Sequence, residues 1–113
     1  MRALKRSECA ILPLVLKGKW YRMIESGEKR EEYRDDTEYW SKRISHWIDQ
    51  SLHVGTECVV EFRLGYAKSA PRMAFSPRGL RGPDNRSRWH PEWGEPDARH
   101  WAIELGERVH LTT

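Results

Sequence analysis

The residues best suited to chemistry lie in one short segment, where a glycine turn leads into a run of charged side chains. After Gly27, residues 28–34 read EKREEYR, so six of the seven are charged. A charge that is buried in a fold must be paired or must be available to a ligand. Apolar segments lie on both sides of this run, and we therefore expect it to pass through the fold.

Side-chain alternation along a strand places Glu32 on the same face as Arg30 and Arg34. Two flanking arginines would keep the Glu32 carboxylate ionised and oriented. On the wall of a cavity, Glu32 can accept hydrogen bonds from a nucleobase amino group while Arg34 contacts a phosphate or carbonyl. The alternative is a structural ladder of salt bridges. Alternation does not fix the direction of Lys29, which stands at the start of the strand.

A second group of candidate ligand-binding residues follows a later strand, in the segment FRLGYAK of residues 62–68. Gly65 allows the backbone to turn there. Tyr66 could stack on a base, or it could cover the core, and Lys68 could contact a phosphate. We predict that Arg63, Tyr66 and Lys68 cluster at this strand end.

The rest of the chain supplies the elements that position these residues. A strand is predicted over 11–16, with Pro13 indicating an edge or a bulge, and a helix over 19–26 that ends at Gly27. After the charged strand over 29–34, Asp36 or Thr37 could cap a second helix. Its apolar stripe indicates core positions: Trp40, Ile44, Trp47 and Ile48.

Further strands are predicted over 58–64, 72–75 and 99–105. This order favours an α+β domain with a small antiparallel β-barrel and two helices near its mouth.

Length and composition indicate one domain of 113 residues, 1–113, with residues 1–9 as a flexible N-terminus. Cys9 and Cys58 form no metal or redox motif, which favours a reducing, cytoplasmic location. The start of the chain resembles a signal peptide, but it offers no small-residue cleavage site and its apolar run is too short to span a bilayer. We expect no cofactor, no metal and no membrane association.

Residues 76–96 are dense in Gly, Pro and Arg and are predicted to form a long basic loop. Such a loop could contact phosphates, solubilise the protein or bind a protein partner. Trp93 is expected to anchor it. His90 could act as an acid or base, although a lone loop histidine is more often only solvated.

The segment 20–34, WYRMIESGEKREEYR, resembles the signature of the activating-signal-cointegrator homology (ASCH) domains. The segments 62–73, 91–94 and 103–106 are similar to a compact bacterial and bacteriophage branch of that family. The resemblance covers residues from about 11 to 109. It implies a fold similar to the pseudouridine-synthase-and-archaeosine-transglycosylase (PUA) domains, a β-barrel with helices at its mouth. It also implies recognition of RNA or a modified nucleoside, although one fold hosts many functions.

The same resemblance implies a possible enzyme. Some small ASCH proteins are amidohydrolases that deacylate N4-acetylcytidine, and Lys29 stands at the position of their motif lysine. A threonine three residues later acts as their nucleophile, whereas this chain has Glu32 there. A lysine and a carboxylate could still activate water. The second glutamate of the family's site corresponds only by default to Glu61 or Glu92, and ribonuclease activity is also associated with this fold.

Three hypotheses follow. The favoured one is a module that binds RNA or a modified nucleoside through Lys29, Glu32, Arg34, Arg63, Tyr66 and Lys68. The second is an amidohydrolase or ribonuclease with Lys29, Glu32 and Arg34 as catalytic residues. The third is a phage-type protein-interaction factor that binds its partner through the 76–96 loop.

Overall fold

Six strands and two helices build the protein around one curled sheet. The structure, a computed structural model, describes residues 1–84, 91–96 and 98–113. The strands are β1 (Arg2–Lys5), β2 (Cys9–Leu16), β3 (Glu31–Asp35), β4 (Glu57–Leu64), β5 (Arg72–Asp84) and β6 (His100–Thr112). The helices are α1 (Gly18–Glu25) and α2 (Glu38–Ser51). Single 3-10 turns span Arg6–Glu8 and Pro91–Trp93.

The sheet has the order β1-β6-β5-β4-β2, and β3 also pairs with β6. Because β5 pairs along β6 from Val109 to His100, β3 and β1 share the other edge of β6. The strands β4, β5, β6 and β3 are joined by antiparallel pairing, whereas β2 pairs with β4, and β1 with β6, in parallel. The result is a mixed α+β fold with a half-barrel sheet.

The main core lies between the sheet and the two helices. Alternate residues of β2 are buried on this side, from Ala10 to Leu16, and Phe62 of β4 packs in the same cluster. From the helices, Ile24 of α1 and Ile44 of α2 are buried against them. Burial of one apolar stripe per helix fixes both helices on this face of the sheet.

Two side chains connect elements that backbone pairing does not join. Trp47 connects helix α2 to β2 and β4, and Arg34 connects β3 to β2. The indole Nε1 of Trp47 donates to the carbonyl oxygens of Ala10 in β2, at 2.9 Å, and of Val59 in β4, at 3.1 Å. On the open side, Arg34 Nη2 of β3 donates to the Val15 carbonyl oxygen of β2 at 3.3 Å. Among the described residues, no backbone ladder joins β2 to β3, so this side-chain contact bridges the two ends of the sheet.

Most of the predicted elements are confirmed. Helix α1 is followed by Gly27 with a φ of 86°, a conformation that favours glycine. Thr37, one of the two predicted caps, accepts a hydrogen bond from the Trp40 backbone N–H. Pro13 lies in β2, which ends the strand order as an edge strand. The mixed α+β class is also confirmed.

Three predictions were wrong. The sheet is mixed, and not purely antiparallel, because the N-terminal strands β1 and β2 join it in parallel. Residues 1–9 are not a flexible end, since Arg2–Lys5 pairs with β6 and Leu4 packs on a second apolar cluster. The 76–96 segment is not loop throughout, because β5 continues to Asp84. Pro77 and Gly79 lie beside register shifts of this strand, where bulges tolerate such residues.

Within the described part of the chain, no helix combines the length and the apolar character needed to cross a membrane.

Candidate functional site

A cleft of about 620 Å³ opens between the two helices, β3 and the edge strand β2. Its size lies within the range of small-ligand sites. The end of β4 and residues 94 and 96 complete its walls. Most of the side chains in these walls are aromatic or charged: Lys17, Trp20, Lys29, Glu32, Tyr33, Arg34, Tyr39, Trp40, Arg43, Arg63 and Tyr66.

Lys29 and Glu32 form a buried ion pair in this cleft. Lys29 Nζ lies 3.2 Å from Glu32 Oε1, and the side chains are only 2% and 5% exposed. The Lys29 backbone N–H donates to the Met23 carbonyl oxygen at 3.0 Å, which ties the turn after α1 to the last turns of the helix. The turn therefore directs the lysine inward, which alternation could not predict.

The two oxygens of the Glu32 carboxylate have different environments. Oε1 contacts Lys29, accepts from the Tyr33 backbone N–H at 2.8 Å, and lies 3.6 Å from Arg34 Nη1. Oε2 is buried and has no hydrogen-bond partner among the residues that the structure describes. A buried carboxylate oxygen without a partner carries a desolvation penalty of about 1–3 kcal/mol or more, which a donor from a ligand would remove.

The cation partners of Glu32 differ in part from the prediction. Arg34 and Glu32 both line the cleft, as strand alternation suggested. Arg30 does not line it: its side chain is exposed and its Nε donates to the Gly27 carbonyl oxygen at 3.4 Å. Since β3 starts only at Glu31, Arg30 is still in the turn and is outside the alternation. Lys29 takes the place that Arg30 was expected to hold.

Glu31 precedes Glu32 in β3, and strand alternation directs it away from the cleft. Arg81 Nη2 contacts both of its carboxylate oxygens, at 2.7 and 2.6 Å, and the Tyr33 hydroxyl donates to Oε2 at 3.2 Å. This second buried carboxylate is fully used within the fold. Of the two buried carboxylates of β3, Glu32 is therefore the one with an oxygen that lacks a hydrogen-bond partner among the described residues.

Aromatic rings hold the cations of the cleft in place. Lys29 Nζ lies 4.4 Å from the centre of the Trp20 ring and 5.4 Å from that of Tyr33. The Arg34 guanidinium of β3 lies 5.1 Å from the centre of the Trp40 ring of α2. Within α2, the Arg43 guanidinium lies 5.3 Å from the centre of the Tyr39 ring. Such cation–π contacts orient the charged groups without neutralising them.

Burial lowers the pKa of Lys29 below its ordinary value, although the Glu32 carboxylate acts in the opposite direction. The Lys29 ammonium is therefore a stronger acid than that of a surface lysine. Its Nζ loses a proton more readily than an exposed ammonium does.

The second predicted group is only partly brought together. Arg63 and Tyr66 line the cleft, and Arg63 Nη2 donates to the carbonyl oxygens of Tyr66 and Ala67 at 3.1 and 3.0 Å. Tyr66 is 84% exposed, so it does not cover the core. Lys68 is exposed and lies outside the cleft walls.

The other candidate residues lie elsewhere. Glu61 is buried in a bidentate contact with Arg6, at 3.1 and 2.6 Å, and lines a different cavity. Glu92 is exposed and is not part of the cleft wall. His90, like Arg86, Arg88 and Trp89 of the basic loop, lies outside the described residues. Trp93 is buried against Tyr33 and Ala102, which confirms that it anchors its segment.

Sequence reasoning missed the contribution of helix α2. Trp40 was interpreted as core, but it is only partly buried and also lines the cleft, together with Tyr39 and Arg43. The available signal was their spacing, because Arg43 follows Tyr39 by four residues and Trp40 by three, and side chains at these separations are neighbours on a helix surface. This group follows the charged strand by only a few residues.

The described residues contain no group of three or more His, Cys, Asp or Glu side chains placed to hold a metal ion. Comparisons with protein-family models, with curated proteins and with solved structures find no match for the chain.

Proposed function

We propose that this chain is a recognition module that binds a nucleobase of RNA, or a modified nucleoside, in the cleft between α1, α2 and β3. The observation that carries the proposal is the Glu32 carboxylate, which lines the cleft and has a buried oxygen without a partner among the described residues. Nucleobases present amino and imino N–H groups, and a carboxylate accepts from them.

The surroundings of Glu32 suit a planar ligand with mixed hydrogen-bonding groups. Lys29 can donate to a ring nitrogen or carbonyl next to the group that Glu32 contacts. Trp20, Tyr39, Trp40 and Tyr66 offer ring faces and edges in the same cleft. Stacking on such rings contributes about 1–3 kcal/mol per base. Recognition of single bases by proteins uses this combination of stacking and edge contacts.

We further propose that the fold is of the ASCH type and PUA-like. Support comes from the order of a short helix, a glycine turn and a charged strand, followed by a second helix and a curled sheet. Lys29 lines the cleft beside residues of both helices, and the resemblance aligns this residue with the motif lysine of that family.

A binding titration tests this function. The four common ribonucleosides, N4-acetylcytidine and a short single-stranded RNA are titrated into the protein, followed by calorimetry and by the fluorescence of the cleft tryptophans. We expect at least one of these ligands to bind. Glu32→Gln keeps the shape but replaces an acceptor-only group with an amide, and it should weaken that binding by about 10- to 100-fold.

Glu61→Gln is the matched control, because Glu61 is an equally buried, arginine-paired carboxylate outside the cleft. It should leave the affinity unchanged. The proposal fails if no ligand of the series binds, or if Glu61→Gln weakens binding as much as Glu32→Gln does. Thermal unfolding of each variant shows that the comparison is made between folded proteins.

A second function, hydrolysis of an N-acylated nucleoside, is favoured by the environment of Lys29. Its lowered pKa and its 3.2 Å contact with Glu32 suit it to take a proton from water. The hydroxide would attack the acyl carbon, and the amine would leave with that proton. Incubation with N4-acetylcytidine and chromatography should then show cytidine and acetate, and Lys29→Arg should abolish this product. Absence of turnover by the purified protein excludes this function and leaves the binding proposal intact.

A further inference from the structure

We infer that the ligand of the cleft carries a phosphate, and that Arg43 of α2 and Arg63 of β4 provide its binding subsite. This inference rests on the proposed recognition of a nucleobase in the same cleft and names the class of ligand, a nucleotide in place of a bare nucleoside. A free nucleotide and a nucleotide residue within a strand share this chemistry.

The charge of the cleft is the first argument. Its described walls carry five cationic side chains, Lys17, Lys29, Arg34, Arg43 and Arg63, and a single acidic one, Glu32. Lys29 and Arg34 both lie within 4 Å of Glu32 and share its one negative charge. Arg43 and Arg63 have no carboxylate partner among the described ion pairs. A neutral nucleoside would leave this excess positive charge uncompensated, whereas a phosphate would balance it.

The second argument is the hydrogen bonding of the two arginines. The Nε atoms of Arg43 and Arg63 are buried, and neither has a hydrogen-bond partner in the described part of the chain. Each donor therefore carries a desolvation cost that an anionic acceptor would offset. A guanidinium offers several donors in a fork that matches the oxygens of a phosphate.

Both arginines are also held in position before any ligand binds. Arg63 Nη2 is fixed by two carbonyl oxygens of the following turn, at 3.1 and 3.0 Å. Arg43 lies against the rings of Tyr39 and Trp40, at 5.3 and 5.6 Å. Preorganised donors lose little side-chain entropy on binding, which favours their use as a subsite.

The ligand series tests the inference on the wild-type protein. Each ribonucleoside is compared with its 5′-monophosphate, and ribose 5-phosphate is added as a phosphate probe without a base. We expect the monophosphate to bind at least about tenfold more tightly than the nucleoside and to lose this advantage as the salt concentration rises. Equal affinity of nucleoside and nucleotide overturns the inference and leaves the proposed function standing.

The ribose 5-phosphate measurement can show the reverse case, in which the phosphate subsite exists and the nucleobase site does not. Equal binding of this probe and of the monophosphates, with no binding of any nucleoside, supports the phosphate subsite and contradicts the nucleobase site. Failure of every phosphate-bearing ligand to bind overturns the subsite. A short single-stranded RNA distinguishes the source of the phosphate: tighter binding than the monophosphate indicates a strand, and equal binding indicates a free nucleotide.

Substitutions locate the subsite. Arg43→Gln and Arg63→Gln should each reduce the advantage of the monophosphate over the nucleoside by about tenfold or more. Lys42→Gln is the matched control, because it removes the same charge from the neighbouring, exposed position of α2. If Lys42→Gln has the same effect as Arg43→Gln, the attraction comes from the general surface charge and the assigned subsite is wrong.

Discussion

Lys29 and Glu32 form an ion pair of 3.2 Å in which the two side chains are only 2% and 5% exposed. A pair this deeply buried is seldom a gain in stability by itself, because both charges lose their hydration. Its value lies in positioning: the lysine fixes one oxygen of the carboxylate and leaves the other for a further donor. The geometry of the cleft thus depends on the Lys29–Glu32 ion pair, although burial of the two charges costs them their hydration.

Removal of one partner should be more harmful than removal of both. Lys29→Met leaves the Glu32 charge buried with Arg34 alone and should lower the free energy of unfolding by about 3–5 kcal/mol. The double variant Lys29→Met/Glu32→Leu should cost less. Urea denaturation of the single and double variants measures the difference, and a double variant that is less stable than Lys29→Met would contradict this account.

Lys42→Met gives the scale for an exposed pair. Lys42 Nζ lies 2.9 Å from Glu38 Oε1, but both side chains are largely exposed. We expect a change of less than about 1 kcal/mol in the same denaturation experiment.

The stability should depend on pH through Tyr33. Burial and the Glu31 carboxylate raise the pKa of the Tyr33 phenol above its ordinary value of 10.0. The folded protein therefore keeps a proton that the unfolded chain releases, so this contribution is complete below pH 10.0 and is lost as the pH rises further. Above that pH, the wild type should lose up to about 1.4 kcal/mol per pH unit more than Tyr33→Phe. Denaturation curves of both proteins below and above pH 10.0 measure this difference. If the wild type and Tyr33→Phe lose the same unfolding free energy as the pH rises, the contribution of Tyr33 is refuted.

Gly94 should be irreplaceable because of its contact with Trp20. Its φ is 75°, and a Cβ there would lie 2.7 Å from Trp20 Cη2. Gly27 has a similar φ of 86°, but a Cβ on it would meet nothing within 4 Å. Gly27→Ala should therefore cost only the backbone strain, about 1–2 kcal/mol. Gly94→Ala should cost more in a thermal or urea melt.

The same two variants should differ in ligand binding. Gly94 and Trp20 both line the cleft, so displacement of the Trp20 ring by Gly94→Ala should weaken binding of whichever ligand the titration identifies. Gly27 does not line it, and Gly27→Ala should bind as the wild type does. A loss of affinity in Gly27→Ala alone would show that the turn, and not the Trp20 contact, controls the site.

Trp47 and Trp40 should have separate roles although they lie on one helix. Trp47→Phe removes the indole donor shared by the Ala10 and Val59 carbonyl oxygens and should lower the unfolding free energy by about 1–3 kcal/mol. Trp40→Phe should affect ligand affinity more than stability, since Trp40 is only partly buried in the cleft wall. Denaturation and titration of both variants check this division, and equal stability losses would argue against it.

Features that depend on residues close together in the chain were predictable from the sequence. The glycine after α1, the Thr37 cap and the apolar stripe of α2 were predictable, because helix ends and helix faces follow from local backbone geometry and spacing. The grouping of Glu32 with Arg34 followed from strand alternation. The same local rules located the candidate site residues Glu32 and Arg34 in the charged strand.

Contacts between residues that are distant along the chain were not predictable, because they depend on how the elements pack. The parallel pairing of β1 and β2, the continuation of β5 through Pro77 and Gly79, and the bridge from Arg34 to Val15 all depend on partners distant in sequence. The same holds for the charged strand: a turn held against α1 carried Lys29 inward, and α2 added Arg43 to the cleft. Burial and charge pairing depend on this packing, so the unpartnered oxygen of Glu32 could be found only in the folded protein.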